Sequence, residues 1–300
     1  TSDIEDWYLE ISYPPLERVT SYSETSTGDY EETKLGQTYP FHQRKVSHRN
    51  HVFDLKIQPG ESKRIFLRVE TGGSMQLPII LWEKEEFIKK TQMWCIYLGI
   101  LYGALSSMML YNLFLYFSLR HRSYLYYVLV ISGSVFSNAA MNGLGFQYIW
   151  PDLPWFNHRS AIVFIHFGII ACILFTESFL DTNRYFPRFK KIGQLIIALN
   201  ALNLFIVFFI SYKIALNIII PLMLISIFTI ITVGFICLQK GARQARFFLI
   251  AWIIFILGIA ISALADGAYI PLNFWSKYAV QISAILLKTN YYIVLSNRGF

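Results

Sequence analysis

The sequence predicts a membrane protein, namely a seven-helix transmembrane bundle that is all α, preceded by a partial antiparallel β-sandwich in an extracytoplasmic domain. Three observations predict this fold class. Of the 300 residues, 55% are hydrophobic and only 15% are charged, which is too apolar for an ordinary soluble domain. From residue 93 onward, apolar stretches long enough to cross a bilayer recur. Residues 1–86 instead show short apolar runs between turn residues, a pattern typical of strands.

The first domain, residues 1–86, contains five strand-like segments. They lie at 7–12, 16–22, 51–57, 63–70 and 77–82, while a polar, Gly-containing stretch occupies 23–37. Turn residues at Pro59-Gly60 and Gly72-Gly73 separate the later segments. Strands at this spacing favour part of an antiparallel sandwich. Fewer than 90 residues without a disulfide is small for that fold, so we expect the domain to be truncated at its N-terminus.

The remaining chain predicts a linker at 87–92 and a helix bundle at 93–298. A hydrocarbon core of about 30 Å requires about 20 apolar helical residues. Seven segments meet that requirement: 93–117, 123–141, 160–180, 192–210, 214–238, 247–265 and 274–296. Seven spans place the two ends of the chain on opposite sides of the membrane.

The distribution of charge predicts the orientation. Residues 1–92 hold 15 of the 19 acidic residues and have a net charge near −3, whereas residues 93–300 are near +10. The bases of the first, third and fifth loops are Arg120, Arg122, Arg184, Arg188, Lys190, Lys191, Lys240, Arg243 and Arg246. The other loops hold only Arg159 and Lys213. Because cytoplasmic loops retain bases, the N-terminus is expected outside and the C-terminus in the cytoplasm. Bases placed between apolar runs indicate a bilayer as the partner and argue against nucleic acid.

Two charged residues lie within predicted spans, Glu177 in the third and Lys288 in the seventh. Charges in lipid are costly and mark candidate functional positions. The two lie at similar depth, so they either pair, reach the cytoplasmic interface separately, or serve a ligand or a proton. A lysine bound to retinal, with the carboxylate as its counter-ion, is a further reading.

Small residues recur within the spans at helix-packing distance. The pairs are Gly99 with Gly103, Gly133 with Ser137, and Gly258 with Ser262. Such pairs allow helix backbones to approach closely. They indicate packing within the bundle, and a homodimer face is the alternative.

No motif for catalysis, a cofactor or a metal is found in the sequence. Phosphate loops, nucleophile elbows, paired catalytic carboxylates and dinucleotide fingerprints are absent. The three cysteines lie in apolar stretches, so their spacing indicates no disulfide framework. His42, His48 and His51 fall in one region, but zinc requires a further ligand on a fixed element. We therefore expect these histidines to be exposed loop residues, and the chain not to be an enzyme.

Candidate ligand-binding residues fall into two groups. Trp7, Tyr8 and Tyr39 offer aromatic rings that could stack on a sugar, although core packing is the favoured explanation for each. A second group lies at the predicted outer ends of the helices and comprises Asn142, Gln147, Trp150, Asp152 and Asp266. Interfacial tryptophan belts explain part of that group without a ligand.

Five segments of the helical region resemble the bacterial seven-transmembrane receptors with diverse intracellular signalling modules. They are 98–103, 110–116, 122–127, 142–151 and 175–180. Upstream, 53–55, 59–61 and 65–69 resemble the last strands of that family's type-2 extracellular domain. The resemblance implies a jelly roll similar to carbohydrate-binding modules, in a multi-pass protein of the bacterial cytoplasmic (inner) membrane. It also implies a cytoplasmic output in cis, such as a histidine kinase or a diguanylate cyclase.

The resemblance implies a signal-transduction receptor. We expect the β domain or the outer loops to bind a small molecule or a glycan, and the bundle to change its packing in response. A transporter or channel is the alternative. It would show a structural repeat and more polar residues at mid-membrane, and no repeat is detected in the sequence.

Overall fold

The computed structural model describes residues 5–24, 29–266, 269–271, 279, 282, 283 and 286. Six strands come first. They are β1 (Asp6–Ile11), β2 (Arg18–Glu24), β3 (Tyr30–Leu35), β4 (His51–Lys56), β5 (Ile65–Glu70) and β6 (Ile79–Glu83). They form two antiparallel three-stranded sheets, a first sheet of order β4-β1-β6 and a second sheet of order β3-β2-β5.

The two sheets share one apolar core, which confirms the antiparallel β domain. Its fully buried members come from both sheets and the β1–β2 turn: Leu9, Ile11, Leu16, Val19, Leu35, Phe53 and Leu55. Along β2, side chains alternate between this core and the opposite face, as a strand requires. The outward face of the second sheet is therefore set by the same pattern that builds the core.

Strand β3 was not predicted, because it falls in the polar stretch 23–37. Of its residues only Leu35 is buried, opposite Val19 of β2, while the others are exposed or half-buried. A charged edge strand of this kind resists pairing with other chains. It also lacks the apolar alternation by which strands are recognised in a sequence.

The helical region contains seven described helices. They are α1 (Lys84–Leu119), α2 (Arg122–Met141), α3 (Pro154–Leu180), the short α4 (Thr182–Tyr185), α5 (Phe189–Ile206), α6 (Tyr212–Gln239) and α7 (Gln244–Asp266). A π-helical turn, Gly145–Ile149, lies between α2 and α3. Six helices, all except α4, contain stretches long and apolar enough to cross a membrane.

Helix α1 begins at Lys84, so residues 87–92, predicted as a linker, are helical. Glu85 and Glu86 occupy its first turn, where acidic side chains oppose the positive end of the helix dipole. The seventh predicted span, 274–296, falls outside the described residues except at positions 279, 282, 283 and 286. The domain boundaries themselves stay a prediction.

The chain forms two compact units. The first unit comprises Thr1–Tyr102, Phe136–Phe164 and Ile206–Asn217, so it contains the β domain together with parts of the helical region. The second unit comprises Gly103–Val135, Ile165–Phe205 and Ile218–Phe300. Five of the described helices contribute residues to both units, namely α1, α2, α3, α6 and, through Ile206 alone, α5.

A closed polar network lies within the second unit. His166 Nδ1 is 2.8 Å from Asn200 Oδ1, and Asn203 Nδ2 is 2.8 Å from His166 Nε2. The Asn200 amide also donates to the Ile196 carbonyl at 2.8 Å. Since Asn200 Oδ1 only accepts, the network requires the neutral Nδ1–H tautomer of His166. His166 is therefore a buried, hydrogen-bonded packing residue.

The small residues of the spans behave in two ways. A Cβ added to Gly258 would overlap Ser283, and one added to Gly168 would lie 3.9 Å from the Cα of Gly133. Both glycines permit close helix packing. By contrast, a Cβ on Gly99 or Gly103 would meet no described atom within 4 Å. The homodimer stays a prediction.

Candidate functional site

An open cleft of about 250 Å³ lies on the outward face of the second sheet. Because Val19 points into the core, its neighbours Arg18 and Thr20 point outward. All three strands of the sheet contribute side chains, and the loop after β3 adds one tyrosine. The lining residues are Arg18, Thr20, Tyr22, Glu32, Lys34, Tyr39, Arg68 and Glu70.

Charges of both signs are paired across this cleft. Lys34 Nζ lies 3.1 Å from Glu32 Oε2. The Glu70 carboxylate pairs with two arginines, since Oε1 lies 2.6 Å from Arg68 Nη2 and Oε2 lies 3.6 Å from Arg18 Nη1. Three cations therefore share two carboxylates. Exposed pairs of this kind contribute only about 0–1 kcal/mol each, so they can be rearranged at little cost. The surface is suited to a polar ligand.

Of the three aromatic candidates, only Tyr39 lines the cleft. Trp7 is partly buried against the core of the β domain. Tyr8 packs edge-on against Phe87 of α1, with ring centroids 5.2 Å apart, and the Lys84 ammonium lies 5.2 Å from the Tyr8 ring centre. Trp7 and Tyr8 are therefore occupied in packing.

A buried carboxylate joins β1 to α1 within the first unit. Glu10 is fully buried and forms an ion pair with Lys90 of α1. Its oxygens also accept hydrogen bonds from the Asn50 amide and, at 2.8 Å, from Trp82 Nε1. The Lys90 ammonium lies over the rings of Trp82 and Phe87, at 5.2 and 5.5 Å. The pair fixes the first sheet to the start of α1.

The environment keeps Glu10 ionised. Burial alone raises the pKa of a carboxyl, but the hydrogen bond and charge of Lys90, with the bonds from Asn50 and Trp82, outweigh it and leave the pKa below its usual value. A paired and hydrogen-bonded buried charge is tolerated, whereas an unpaired one is costly. Loss of Lys90 would therefore leave the Glu10 carboxylate buried without a counter-charge, and the free-energy cost of its desolvation would no longer be offset.

A second charge, that of the half-buried Arg44, organises the loop before β4. Its guanidinium donates to the carbonyl oxygens of His48, Asn50 and Arg49 at 2.8, 3.2 and 3.3 Å, and lies 4.6 Å from the ring centre of Phe41. Burial lowers the pKa of this guanidinium to about 10. Arg44 thus links three successive carbonyl oxygens of the loop through one guanidinium.

That loop packs on the segment between α2 and α3. The rings of Phe41 and Phe146 meet edge to face at 5.4 Å, and the Phe41 amide donates to the Pro151 carbonyl at 3.2 Å. Gly143 has a φ of +75°, and a Cβ there would lie 2.8 Å from the Arg49 carbonyl oxygen. Only glycine easily adopts this positive φ and also leaves space for the Arg49 carbonyl oxygen.

Four of the predicted loop candidates are described here. Asn142 offers its carbonyl to Arg49 at 3.3 Å, and Gln147 donates to the Ser47 carbonyl at 3.4 Å. Trp150 is buried and donates to Asn157 Oδ1 at 2.9 Å. Asp152 is exposed, 3.4 Å from His42 Nδ1. All four contacts lie inside the first unit, and those of Asn142, Gln147 and Trp150 favour a structural role over ligand contact.

A third contact involves Glu17, between β1 and β2. Its carboxylate accepts a hydrogen bond from the Gly72 amide at 2.6 Å and lies 3.9 Å from His158 Nε2 of α3. The His158 ring lies 4.3 Å from that of Tyr212 in α6. A Cβ added to Gly73 would lie 3.3 Å from the Tyr212 ring, so the β domain contacts α6 as well as α1, α3 and the α2–α3 segment. We call the three groups of contacts around Glu10, Arg44 and Glu17 the junction.

The predicted exposure of the histidines is wrong for two of three. His48 packs against the ring of Phe87 at 4.9 Å and accepts a hydrogen bond from the Asn50 amide, and His51 of β4 is fully buried. Burial lowers the pKa of His48 to about 4 and that of His51 to about 3. Of the three, His42 alone is exposed. Among the described residues, no group of three or more potential ligands could hold a metal.

The remaining candidates lie in the helical region. Glu177 is half-buried near the end of α3. Lys288 lies outside the described residues, so its pairing with Glu177 stays a prediction. Asp266 ends α7, but its side chain also lies outside the described part.

Sequence reasoning missed the charged residues that hold the junction. Glu10, Arg44 and Glu17 look like ordinary charged residues of a surface strand or loop. A signal exists for Glu10 alone, since it stands between the apolar residues Leu9 and Ile11, which are both buried. The cleft is visible only from the register of the three strands.

Two family comparisons match the chain. The 7TM diverse intracellular signalling family matches residues 94–292, and the 7TMR-DISM extracellular 2 domain matches residues 1–83. Neither a curated protein nor a solved structure matches it. The first match covers more than half of the chain, and the second adds the β domain. Together with the antiparallel sheets and the membrane-spanning helices, they show that the chain belongs to the 7TM diverse intracellular signalling family of receptors.

Proposed function

We propose that the β domain senses an extracytoplasmic ligand and that the junction passes the change to the transmembrane helices. The observation that carries this proposal is the buried Glu10–Lys90 pair, which ties the first sheet directly to α1. A flexible tether would need no buried ion pair. A fixed attachment is what a relay requires, because displacement of the sheet then displaces the helix.

The relay needs two states that a ligand distinguishes. A ligand shifts an equilibrium only by as much as its affinity differs between the states. In this proposal the junction contacts persist in both states, because their charged groups are costly to separate. Glu10, Arg44 and Glu17 hold the three contact groups and would carry the displacement of the sheets to the helices.

The proposed orientation places the β domain outside the cell and the C-terminal end in the cytoplasm, in a bacterial inner membrane. It is supported by the nine bases that lie in, or at the helix ends next to, the loops after α1, α3 and α6, against two at the alternate connections. The proposed ligand is a small molecule or a glycan. The proposed output is a signalling module in cis, of histidine kinase or diguanylate cyclase type.

Cysteine labelling tests the orientation. In a variant whose native cysteines are replaced by serine, Lys45→Cys reports on the β domain and Arg243→Cys on the loop after α6. We expect a membrane-impermeant maleimide to label the thiol at position 45 in intact spheroplasts, and the thiol at position 243 only after permeabilisation. The reverse pattern would overturn the proposed orientation.

The rate of labelling at position 243 in permeabilised membranes tests the relay. Lys90→Met, added to the Arg243→Cys protein, removes the partner of Glu10, and we expect it to change that rate several-fold. Lys89→Met is the matched control, because Lys89 pairs with Glu86 at an exposed position of the same helix turn. Equal rates in all three proteins would contradict coupling through the junction. Solute uptake by proteoliposomes containing the chain would favour a transporter instead.

A further inference from the structure

We propose that the cleft on the second sheet binds the anionic group of a small hydrophilic ligand, with the Thr20 hydroxyl at its floor. The inference rests on the proposed sensing function for its biological role. It deepens that function by naming the site and one required chemical feature of the ligand, an oxyanion such as a carboxylate.

Strand register places two cations on either side of Thr20. Thr20 is paired with Lys34 of β3 on one side and with Arg68 of β5 on the other. Neighbouring strands lie about 4.8 Å apart, so the two cationic residues stand about 10 Å apart across the floor. Thr20 is only 8% exposed beneath the side chains around it. An oxyanion above Thr20 can be reached by both cations and by the hydroxyl.

The charge balance of the cleft leaves room for one more anion. Glu70 is shared by Arg18 and Arg68, and Glu32 pairs with Lys34. Three cations against two carboxylates leave one positive charge in excess. A ligand carboxylate supplies the missing negative charge, and it can form the two parallel hydrogen bonds that arginine favours. The exposed ion pairs already present are weak enough to be exchanged.

The other residues of the cleft and its volume indicate the chemistry and size of the rest of the ligand. Tyr22 and Tyr39 add aromatic rings and hydroxyl groups, and the Tyr22 hydroxyl already donates to Glu32 Oε1 at 3.3 Å. Such groups bind a compact molecule rich in hydroxyls. The volume of about 250 Å³ lies below the usual range for drug-sized ligands, about 300–1,000 Å³, and so favours a ligand of one or two rings.

A pair of probes isolates the carboxylate. D-Glucuronate and D-glucose differ only at C6, which is a carboxylate in the first and a hydroxymethyl group in the second. Binding is measured by saturation-transfer NMR with the full chain in nanodiscs. We expect glucuronate to bind at least tenfold more tightly than glucose, and its affinity to fall as salt is raised to about 0.5 M, because salt screens exposed charges.

Matched double variants locate the site. Lys34→Met with Arg68→Met removes both cations beside Thr20, and we expect a loss of at least tenfold in glucuronate affinity. Lys63→Met with Arg64→Met removes the same two residue types from the segment before β5, outside the cleft, and should leave affinity unchanged. Thr20→Val keeps the shape and removes the hydroxyl, so it should weaken glucuronate binding by severalfold.

Three results would overturn the site: no saturable binding of glucuronate, equal affinity for glucose, or the same loss in both double variants. Failure of the site and failure of the relay remain distinguishable. Binding of glucuronate with no effect on labelling at position 243 supports the cleft and contradicts the relay. If Lys90→Met changes that labelling but glucuronate does not bind, the relay is supported and the cleft is contradicted.

Discussion

Buried charge in the β domain is concentrated where the domain meets the helices. Glu10 has no exposed surface, and Arg44 is held by loop carbonyl oxygens rather than by a carboxylate. Each lies within hydrogen-bonding distance of Asn50, Glu10 through the side-chain amide and Arg44 through the carbonyl. The buried Glu10 and the half-buried Arg44 are therefore parts of one connected polar structure.

Lys90→Met should destabilise the β domain strongly. Removing one partner of a buried ion pair costs about 3–5 kcal/mol, because the remaining charge stays buried without compensation. We expect the midpoint of thermal unfolding to fall by several degrees, measured by tryptophan fluorescence of the full chain in detergent. Lys89→Met should change it little, since its pair with Glu86 is exposed. A smaller effect for Lys90→Met than for Lys89→Met would contradict the role assigned to the pair.

The buried histidines should make the β domain sensitive to acid. Their pKa values are about 4 for His48 and about 3 for His51, against about 6.5 in the unfolded chain. Between these values the unfolded state binds more protons, so stability is fully present above about pH 6.5 and is lost as the pH falls toward 3. Glu10 acts in the same direction, because its pKa is lowered and its ion pair is lost on protonation.

Denaturant titrations at several pH values check this expectation. His51→Leu should flatten the dependence of stability on pH between 6.5 and 4, whereas His42→Gln, at an exposed position, should leave it as in the parent chain. A parent chain whose stability is constant over that range would show that these histidines are not buried as neutral groups.

At the scale of elements, the segment between α2 and α3 is tightly packed. Its π-helical turn places Gly145 directly against Trp150, whose ring also stacks on Phe164 at 5.9 Å. The cluster of Phe41, Phe146 and Trp150 joins this segment to the β domain. The aromatic rings of the turn therefore form the platform on which Phe41 of the β domain packs.

Gly145→Ala should disturb that platform. An added Cβ would overlap the Trp150 ring, and overpacking of this kind costs about 1–3 kcal/mol. Gly99→Ala makes the same chemical change where no described atom lies within 4 Å, so it should be neutral or slightly stabilising in a helix. Thermal unfolding of the two variants in detergent compares them directly. Equal midpoints would contradict the packing described for Gly145.

Elements were predictable in proportion to their apolar content. Helices such as α6 are apolar throughout, so their length alone identifies them, and the starts and ends of α2 and α6 fall within two residues of the prediction. Strand β3 was missed because most of its side chains face water. The start of α1 was placed late because its first turns are charged, and the hydropathy signal begins only where the charges end.

At the scale of the whole molecule, the first compact unit does not coincide with the β domain of the sequence. It also contains Phe136–Phe164 and Ile206–Asn217. Contacts such as Arg49 with Asn142 and Glu17 with His158 explain why. Residues so far apart in the chain give no sign of their contact in any local pattern.

Hydrogen exchange should reveal this unit. We expect Glu10→Gln to accelerate amide exchange both in β4 and in residues 143–150, because the same polar structure supports both. Exchange in residues 166–176, whose own network involves Asn200 and Asn203, should not change. Mass spectrometry of peptides from the exchanged chain measures all three regions. Acceleration of β4 alone would show that the two parts unfold separately.

The candidate site was predictable only in part. Tyr39 was identified from its residue type and does line the cleft. The charged residues around it were not, since Arg18, Lys34 and Arg68 are typical of any solvent-facing strand. Their grouping depends on register, which pairs residues from three separate strands, and a single sequence does not reveal register until the strands are known.

The direct join between β6 and α1 has a mechanical consequence. The strand ends at Glu83 and the helix begins at Lys84, so no residue between them can absorb a twist. The helix has 36 residues and is therefore about 54 Å long, well beyond the hydrocarbon thickness of about 30 Å. In the proposed relay, we expect a helix fixed to the sheet edge in this way to turn when the edge turns. We therefore expect the connection to transmit rotation of α1 about its own axis rather than bending.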